Sequence, residues 1–288
     1  MTDSPAAARA RVGAAGAPRT ATLVVDDGTE IAYHHWGPGT DPHPVPVVLQ
    51  HGFGADTLID WASRGTVAAL IAAGRSVVGV DARGHGRSGK SADPARYGEP
   101  RMARDLRAVV AVLGVPAVDL VGYSMGAVVA LLTAVQEPAV RRLVVGGVGA
   151  GVVEAGGVDT RVLSNGLLAD ALLAEDPGVL PPEVAGMREF AVAVGADLAS
   201  LAAHARVAYQ GGVDLAAITA PTLVIAGDDD PLAVRPHVLA DAIPGARLRV
   251  VAGDHGTVGG DPAFHAAIVE FLCGSANPPG RRGPAGVG

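Results

Sequence analysis

Cysteine is almost absent from this chain of 288 residues, in which Cys273 is the single example. One cysteine cannot form a disulfide within the chain, and it excludes a zinc site built from cysteines. Aromatic residues make up only 3% of the sequence, so the stacking surfaces that bind nucleic-acid bases or sugars are scarce. Because Cys273 ends a helical pattern, we expect a buried or half-buried thiol.

Long apolar runs and basic clusters are also missing. No stretch approaches the length of a membrane-spanning helix. The formal net charge of −7, without a lysine and arginine block in the folded region, argues against nucleic acid as a partner. Residues 1–20 are rich in alanine, arginine and proline but lack the apolar segment of a secretory signal, which leaves an organelle transit peptide as the alternative.

These absences lead to expectations about location and termini. We expect a cytoplasmic protein that binds neither nucleic acid nor membrane, with its oligomeric state left open. Residues 1–20 are predicted to form a disordered arm. Residues 274–288, which are rich in glycine and proline, are predicted to form a disordered tail.

The order of predicted elements indicates an α/β fold. Short strands that are nearly all apolar alternate with helices, which is typical of a parallel sheet covered on both faces. A turn signal at Asp26-Asp27-Gly28 joins the first two strands and predicts an antiparallel edge. The predicted strands are Thr22–Val25, Glu30–Trp36, Val47–Gln50, Ser76–Val80, Val118–Tyr123, Arg142–Val148, Thr222–Ala226 and Arg247–Val251.

Residues 150–220 interrupt this alternation, because they contain no convincing strand. Apolar stripes at helical spacing predict helices over Arg161–Ala174, Pro182–Val194 and Ala196–Tyr209. A helical insertion between two strands favours a lid over the carboxyl edge of the sheet, where open α/β sheets bind ligands. A surface appendage away from that edge is the alternative. The predicted core therefore comprises residues 21–149 and 221–273, with residues 150–220 as the lid.

One serine stands out because residues 122–126 read Gly-x-Ser-x-Gly, with Ser124 at the centre. The motif lies between an apolar strand and a helical pattern, so it predicts a sharp bend that projects the serine hydroxyl. Side chains at Gly122 and Gly126 would collide where strand and helix converge. Since glycine supplies 40 of the 288 residues, a glycine-rich turn whose serine caps the next helix is the alternative.

A serine nucleophile needs a base, and the base needs an acid that orients it. After a serine in such a bend, the acid and then the histidine follow in chain order. Only His255 falls in a loop directly after an apolar strand. Asp228, Asp229 and Asp230 follow the preceding predicted strand, and the three adjacent carboxylates leave the choice of acid open. The other histidines after the serine lie in or beside predicted helices: His204, His237 and His265.

Two backbone amides are needed to hold an oxyanion. The amide of Met125 follows the nucleophile directly. The second should come from the loop after Val47–Gln50, where Phe53 is flanked by glycines. We interpret His51 of the same loop as a bracing group. The segment 81–89, rich in glycine and arginine, lacks the Gly-Lys-Ser/Thr ending of a phosphate-binding loop and is predicted to be a structural turn.

Together these segments resemble the α/β-hydrolase superfamily. The matching motifs, spread between about Thr22 and Leu272, are His51-Gly52-Phe53-Gly54, Asp81-x-Arg83-Gly84-x-Gly86-x-Ser88, Gly122-Tyr123-Ser124-Met125-Gly126, Gly227-x-x-Asp230 and His255. The resemblance implies a mostly parallel eight-stranded sheet with a helical cap insertion. It also favours Asp230 over Asp228 as the acid. The chain looks most like the lidded esterase, enol-lactonase and cofactor-free haloperoxidase-like branches.

The activity that this resemblance implies is hydrolysis of a carboxylic ester or lactone of a small to medium apolar compound, through an acyl-enzyme on Ser124. No metal or organic cofactor is expected, because the chain itself supplies nucleophile, base, acid and oxyanion donors. Two alternatives stay open. One is acyl transfer to another acceptor such as peroxide or an alcohol, as in a perhydrolase or haloperoxidase-like enzyme. The other is a non-catalytic ligand-binding protein on the same fold.

Overall fold

The computed structural model describes residues 16–37, 45–176, 178 and 180–274. Its centre is a sheet of eight strands, as the sequence predicted. The strands are β1 (Arg19–Val24), β2 (Glu30–Trp36), β3 (Val47–Gln50), β4 (Val77–Val80), β5 (Val118–Tyr123), β6 (Val140–Gly146), β7 (Thr222–Gly227) and β8 (Arg247–Val251).

The sheet is mostly parallel, with the strand order β1-β2-β4-β3-β5-β6-β7-β8. β2 pairs antiparallel with both β1 and β4, whereas every other neighbouring pair is parallel. Strands β3, β4, β5 and β7 are buried along their whole length, which explains why their sequences are mostly apolar. Because β3, β5, β7 and β8 run in one direction, the loops that follow them meet at one edge, the carboxyl edge.

Helices cover both faces of the sheet and form two apolar clusters against it. The helices are α1 (Thr66–Ala72), α2 (Glu99–Val112), α3 (Met125–Gln136), α4 (Ala150–Glu154), α5 (Asn165–Leu173), α6 (Pro182–Val194), α7 (Leu198–Ala205), α8 (Pro236–Ala242) and α9 (Pro262–Cys273). In the described part of the chain, no helix is long and apolar enough to cross a membrane.

The helical insertion has an apolar cluster of its own. Among the described residues of 150–220 there is no strand, and α5, α6 and α7 pack together around Leu168, Leu172, Val184 and Leu201. Helix α6 has the predicted bounds. Helices α5 and α7 are shorter than their apolar stripes suggested. Ser164 is the N-cap residue of α5, which ends before the extended backbone of Ala174, and Asp197 is the N-cap residue of α7.

Three local expectations differ from the structure. The spacing of apolar residues predicts one helix over Asp60–Ala73. The structure instead has a short helical turn, Leu58–Ala62, followed by α1, because Gly65 between them adopts a φ of 99°. Strand β1 begins at Arg19, inside the predicted arm, since it pairs with β2 from that residue onward. Cys273 is exposed rather than buried, because it is the last residue of α9. Residues 1–15 of the predicted arm and 275–288 of the predicted tail lie outside the described residues.

Candidate active site

Ser124 occupies the bend between β5 and α3 with φ 55° and ψ −119°, a conformation that is costly for any residue with a side chain. The two motif glycines make this bend possible. A Cβ on Gly122 would lie 2.2 Å from the carbonyl oxygen of Gly126, and a Cβ on Gly126 would lie 2.2 Å from that of Gln50. Helix α3 therefore starts in direct contact with the ends of β5 and β3, and the serine is held at the carboxyl edge.

His255 and Asp230 lie beside this serine in a continuous hydrogen-bonded row. Ser124 Oγ is 3.0 Å from His255 Nε2. His255 Nδ1 is 2.9 Å from Asp230 Oδ2 and 3.0 Å from Oδ1. Because an ionised carboxylate only accepts hydrogen bonds, Nδ1 carries the proton and Nε2 is free to accept one from the serine hydroxyl.

Asp228 and Asp230 have different positions in the structure, although residue properties alone left the choice of acid between them open. Asp230 is buried and its Oδ1 also accepts the amide of Leu232 at 2.9 Å. Asp228 is exposed, and its carboxylate accepts the amide of Gly253 at 2.9 Å. Asp228 therefore braces the loop that carries His255, and only Asp230 contacts the imidazole.

Tyr123, the residue before the serine, is a further member of this site that the sequence reasoning missed. Its hydroxyl donates to the carbonyl oxygen of His255 at 2.7 Å, and the two rings lie 5.2 Å apart. Burial raises the pKa of the Tyr123 phenol further above its usual value, with a smaller contribution from Asp230 and Asp60. The phenol therefore stays protonated and available as a donor. Its position as a variable residue inside Gly-x-Ser-x-Gly could have indicated its proximity to the serine.

The predicted oxyanion loop lies against the serine. A Cβ on Gly52 would be 3.4 Å from the Cβ of Ser124, so the backbone of residues 51–54 passes directly beside the nucleophile. His51 braces this loop from within the protein. Its Nε2 accepts the amide of Ala82 at 3.0 Å, which leaves Nδ1 to donate to the carbonyl oxygen of Gly52 at 2.8 Å. Met125 is buried as the first residue of α3.

The segment 81–89 is a tightly hydrogen-bonded turn. The Asp81 carboxylate accepts the amides of Thr57 and Arg87 and contacts His34 Nε2 at 3.0 Å. Arg83 makes a bidentate pair with Asp105 at 2.7 Å. These groups satisfy one another rather than presenting donors to a phosphate. A cavity of about 300 Å³ beside the turn includes none of the predicted catalytic residues in its lining.

Helices of the insertion lie over the loops at the carboxyl edge. A Cβ on Gly54 would be 3.7 Å from the ring of Phe190 and 3.8 Å from the sulfur of Met187, both in α6. The Phe53 ring lies 5.4 Å from that of His204 in α7. Ser124 itself is buried, with only 7% of the residue exposed.

Comparisons with known proteins agree with this architecture. A family model described as alpha/beta hydrolase fold matches residues 45–179. A non-heme haloperoxidase from Rhodococcus erythropolis is 30% identical over 87% of this chain and 98% of that protein.

Solved structures extend the likeness over most of the chain. A hydrolase from Pseudomonas aeruginosa PA01 has a TM-score of 0.69 and 27% identity, covering 88% of this chain and 98% of its own. An esterase from Exiguobacterium antarcticum has a TM-score of 0.68 and 25% identity, covering 88% and 97%. These likenesses support a hydrolase.

Proposed function

Since the chain belongs to the α/β-hydrolase fold family, we propose that it is a serine hydrolase. Its substrate in this proposal is a carboxylic ester or lactone of a small to medium apolar compound. The observation that carries the proposal is the unbroken row from Ser124 Oγ through the His255 imidazole to the buried Asp230 carboxylate. Nucleophile, base and orienting acid stand in the order that acyl transfer requires.

In the proposed reaction, Ser124 Oγ attacks the substrate carbonyl carbon while His255 Nε2 takes the hydroxyl proton. The imidazolium that forms is stabilised by the Asp230 carboxylate on its Nδ1 side. The imidazolium then gives its proton to the alkoxy leaving group, which departs and leaves an acyl group on Ser124. Water, activated by the same imidazole, attacks this acyl-enzyme and releases the carboxylic acid. A lactone follows the same steps, with acid and alcohol leaving as one molecule.

The amides of Phe53 and Met125 are the proposed oxyanion donors. Met125 follows the serine at the start of α3, where backbone N–H groups point out of the helix and favour negative charge. The backbone that carries Phe53 passes beside Ser124, and His51 and the Asp60 carboxylate hold it there. Donors that are fixed before the reaction stabilise a developing oxyanion without reorganisation.

The apolar side chains of α6 support a substrate without charge. Met187 and Phe190 pack against the oxyanion loop at Gly54, and the serine beside that loop is buried. Burial of an apolar acyl or alkyl group here would remove its surface from water, whereas a charged group would lose its hydration.

Replacement of the nucleophile tests the proposal. Ser124→Ala is expected to lower the turnover of a p-nitrophenyl short-chain ester by about a million-fold, as loss of a triad nucleophile does elsewhere. The thermal midpoint should stay close to that of the unmodified protein. Ser164→Ala is a matched control, because that serine is exposed on the insertion and its side chain makes no capping hydrogen bond. Retained esterase activity in Ser124→Ala would overturn the proposal.

Transfer of the acyl group to peroxide is a second candidate, favoured by the 30% identity to a non-heme haloperoxidase over most of the chain. The same acyl-enzyme would react with hydrogen peroxide instead of water and release a peracid. Measuring the ratio of peracid to carboxylic acid as peroxide is titrated distinguishes the two acceptors. A non-catalytic ligand-binding role predicts instead that a fluorophosphonate probe leaves Ser124 unlabelled.

A further inference from the structure

Two loops from distant parts of the chain must keep a fixed separation at this site. The loop of residues 51–54 carries one proposed oxyanion donor, and the loop of residues 253–258 carries His255. Both follow parallel strands, but β3 and β8 are separated by three other strands of the sheet. Because a displacement of about 1 Å can cost on the order of a hundredfold in rate, some structure outside the triad has to connect them.

A short helical turn, Leu58–Ala62, provides one half of such a connection. Its Asp60 is buried, with 8% of the residue exposed. Asp60 Oδ2 accepts the backbone amide of Gly52 at 2.8 Å. This hydrogen bond to an ionised acceptor is of the stronger kind, and it is made one residue before Phe53. The carboxylate therefore orients the peptide that leads into the proposed oxyanion donor.

Arg64, one helical turn later, provides the other half. Its Nε lies 3.7 Å from Asp60 Oδ1, and its Nη1 donates to the carbonyl oxygen of Gly256 at 2.6 Å. Gly256 directly follows His255. A Cβ on Gly259 would be 3.2 Å from Arg64 Nη1, so the backbone after the histidine closes tightly over the guanidinium. The path from Gly52 to Gly256 is thus made of one carboxylate and one guanidinium.

We propose that Asp60 and Arg64 are positioning residues, which fix the oxyanion loop and the histidine loop relative to each other across Ser124. Neither touches the reacting atoms in this assignment. The inference rests on the proposed function, because it assigns these residues a role in that same acyl transfer. It predicts that weakening the connection lowers kcat with little change in KM, since substrate would still bind but would meet a misplaced oxyanion donor and base.

Variants of Arg64, the more exposed of the two residues, give the cleanest test. Arg64 has 22% of its side chain exposed, so Arg64→Gln should fold, and we expect kcat on a p-nitrophenyl ester to fall about five- to twentyfold with KM within twofold. Arg64→Lys keeps the positive charge and should recover most of that loss. Asp60→Asn keeps an acceptor for the Gly52 amide but removes the ion pair, and it should resemble Arg64→Gln. In the double variant, the fold decrease in kcat should be smaller than the product of the decreases in the two single variants, because both substitutions break the same connection.

Arg107→Gln is the matched control, because Arg107 also pairs with an acid, Glu137 at 3.4 Å, but does so on α2 away from both loops. Its kcat should equal that of the unmodified protein. The rate and the stoichiometry of fluorophosphonate labelling are measured on every variant. A slower rate at full stoichiometry supports misplacement, whereas a normal rate at reduced stoichiometry shows only a loss of folded protein and overturns the inference.

Unchanged kcat in both Arg64→Gln and Asp60→Asn would also overturn it, as would an effect on KM alone. Should Asp60→Asn fail to fold, comparison of Arg64→Gln with Arg64→Lys still tests the positioning role. An inactive Ser124→Ala beside a fully active Arg64→Gln would reject this inference and leave the serine hydrolase standing. An active Ser124→Ala would reject the function on which the inference depends.

Discussion

Two buried aspartates lie at opposite edges of the same sheet and have opposite kinds of partner. Asp119, near the start of β5, is completely buried between two guanidinium groups: Arg75 Nη2 at 2.6 Å and Arg141 Nε at 2.8 Å. Asp230, beyond the end of β7, is also buried, but it faces the imidazole of His255. One carboxylate is neutralised at rest, and the other has a partner whose charge changes during the proposed reaction.

The difference separates a structural ion pair from a reactive one. At the amino edge the charges of Asp119 and its arginines are permanent, because a guanidinium does not deprotonate in proteins. Such an ion pair stabilises the fold because its charges do not change. At the carboxyl edge the imidazole takes up the serine proton in the proposed reaction, so the Asp230 charge can stabilise one state over another. Burial alone therefore does not mark an active site. Asp230 is distinguished because its imidazole partner also contacts the serine hydroxyl.

The largest expected effect in this comparison comes from Asp230→Asn. An amide in this position can favour the wrong imidazole tautomer and cannot stabilise the imidazolium, so we expect kcat to fall by about ten thousandfold, by analogy with the serine protease triad. The thermal midpoint of unfolding should change little, because the substitution acts mainly on the rate. Steady-state hydrolysis of a p-nitrophenyl ester, normalised to protein concentration, measures the effect.

Asp228→Asn serves as the control, since that exposed carboxylate accepts the amide of Gly253 and an amide oxygen can replace it. Its kcat should stay within about threefold of the unmodified protein, because a retained hydrogen bond changes little. A larger loss in Asp228→Asn than in Asp230→Asn would reverse the assignment of the acid.

At the amino edge, Asp119→Asn is expected to act on stability rather than on chemistry. Removing this charge leaves the fully buried Arg75 without its counterion, which costs about 3–5 kcal/mol of unfolding free energy. The kcat per fluorophosphonate-labelled site should be unchanged. Urea unfolding together with active-site titration measures both quantities on the same preparation.

Glu137→Gln provides a reference for a partly exposed pair, since it removes the partner of Arg107. Ion pairs near the surface contribute about 0–1 kcal/mol, so the free energy of unfolding of this variant should be close to that of the unmodified protein. A reduced kcat per labelled site in Asp119→Asn would show that the two edges are coupled and that Asp119 is not a purely structural group.

The smallest expected effect concerns pH, and it belongs to the carboxyl edge. His85 is buried between the rings of His51 and His204, and its Nε2 has no hydrogen-bond partner among the described residues. Burial lowers the pKa of His85 well below its usual 6.5, and the neighbouring imidazoles lower it further. Near pH 6.5, His85 therefore binds a proton in the unfolded chain but not in the folded protein. The free energy of unfolding falls as the pH drops through that value.

For one proton the loss approaches about 1.4 kcal/mol per pH unit below the unfolded pKa. In His85→Asn, we expect urea unfolding to show a smaller slope of free energy against pH between pH 7 and pH 5. His237→Asn is the control, because that histidine is exposed and its removal should leave the slope unchanged. Equal slopes in all three proteins would rule out His85 as a source of the acid sensitivity.

Much of the fold and part of the candidate site could be predicted from sequence, for a local reason. Strand and helix patterns depend on residues a few positions apart, which is why the eight strands and the bounds of α6 were found. The serine bend is also local, because the glycines that permit it lie two residues away on each side. His255 and the loop of Phe53 could be found because each directly follows a strand of the sheet.

What tertiary structure alone decided involves partners that are far apart in the chain. The residues themselves did not distinguish Asp228 from Asp230, because only the packing of β7 beside β8 turns one carboxylate toward His255 and the other toward Gly253. The contact of Tyr123 with the histidine loop spans 132 residues, and that of Arg64 with Gly256 spans 192. Sequence determined which local structures form and which groups reach the carboxyl edge, whereas the directions of those groups came from the packing of distant segments.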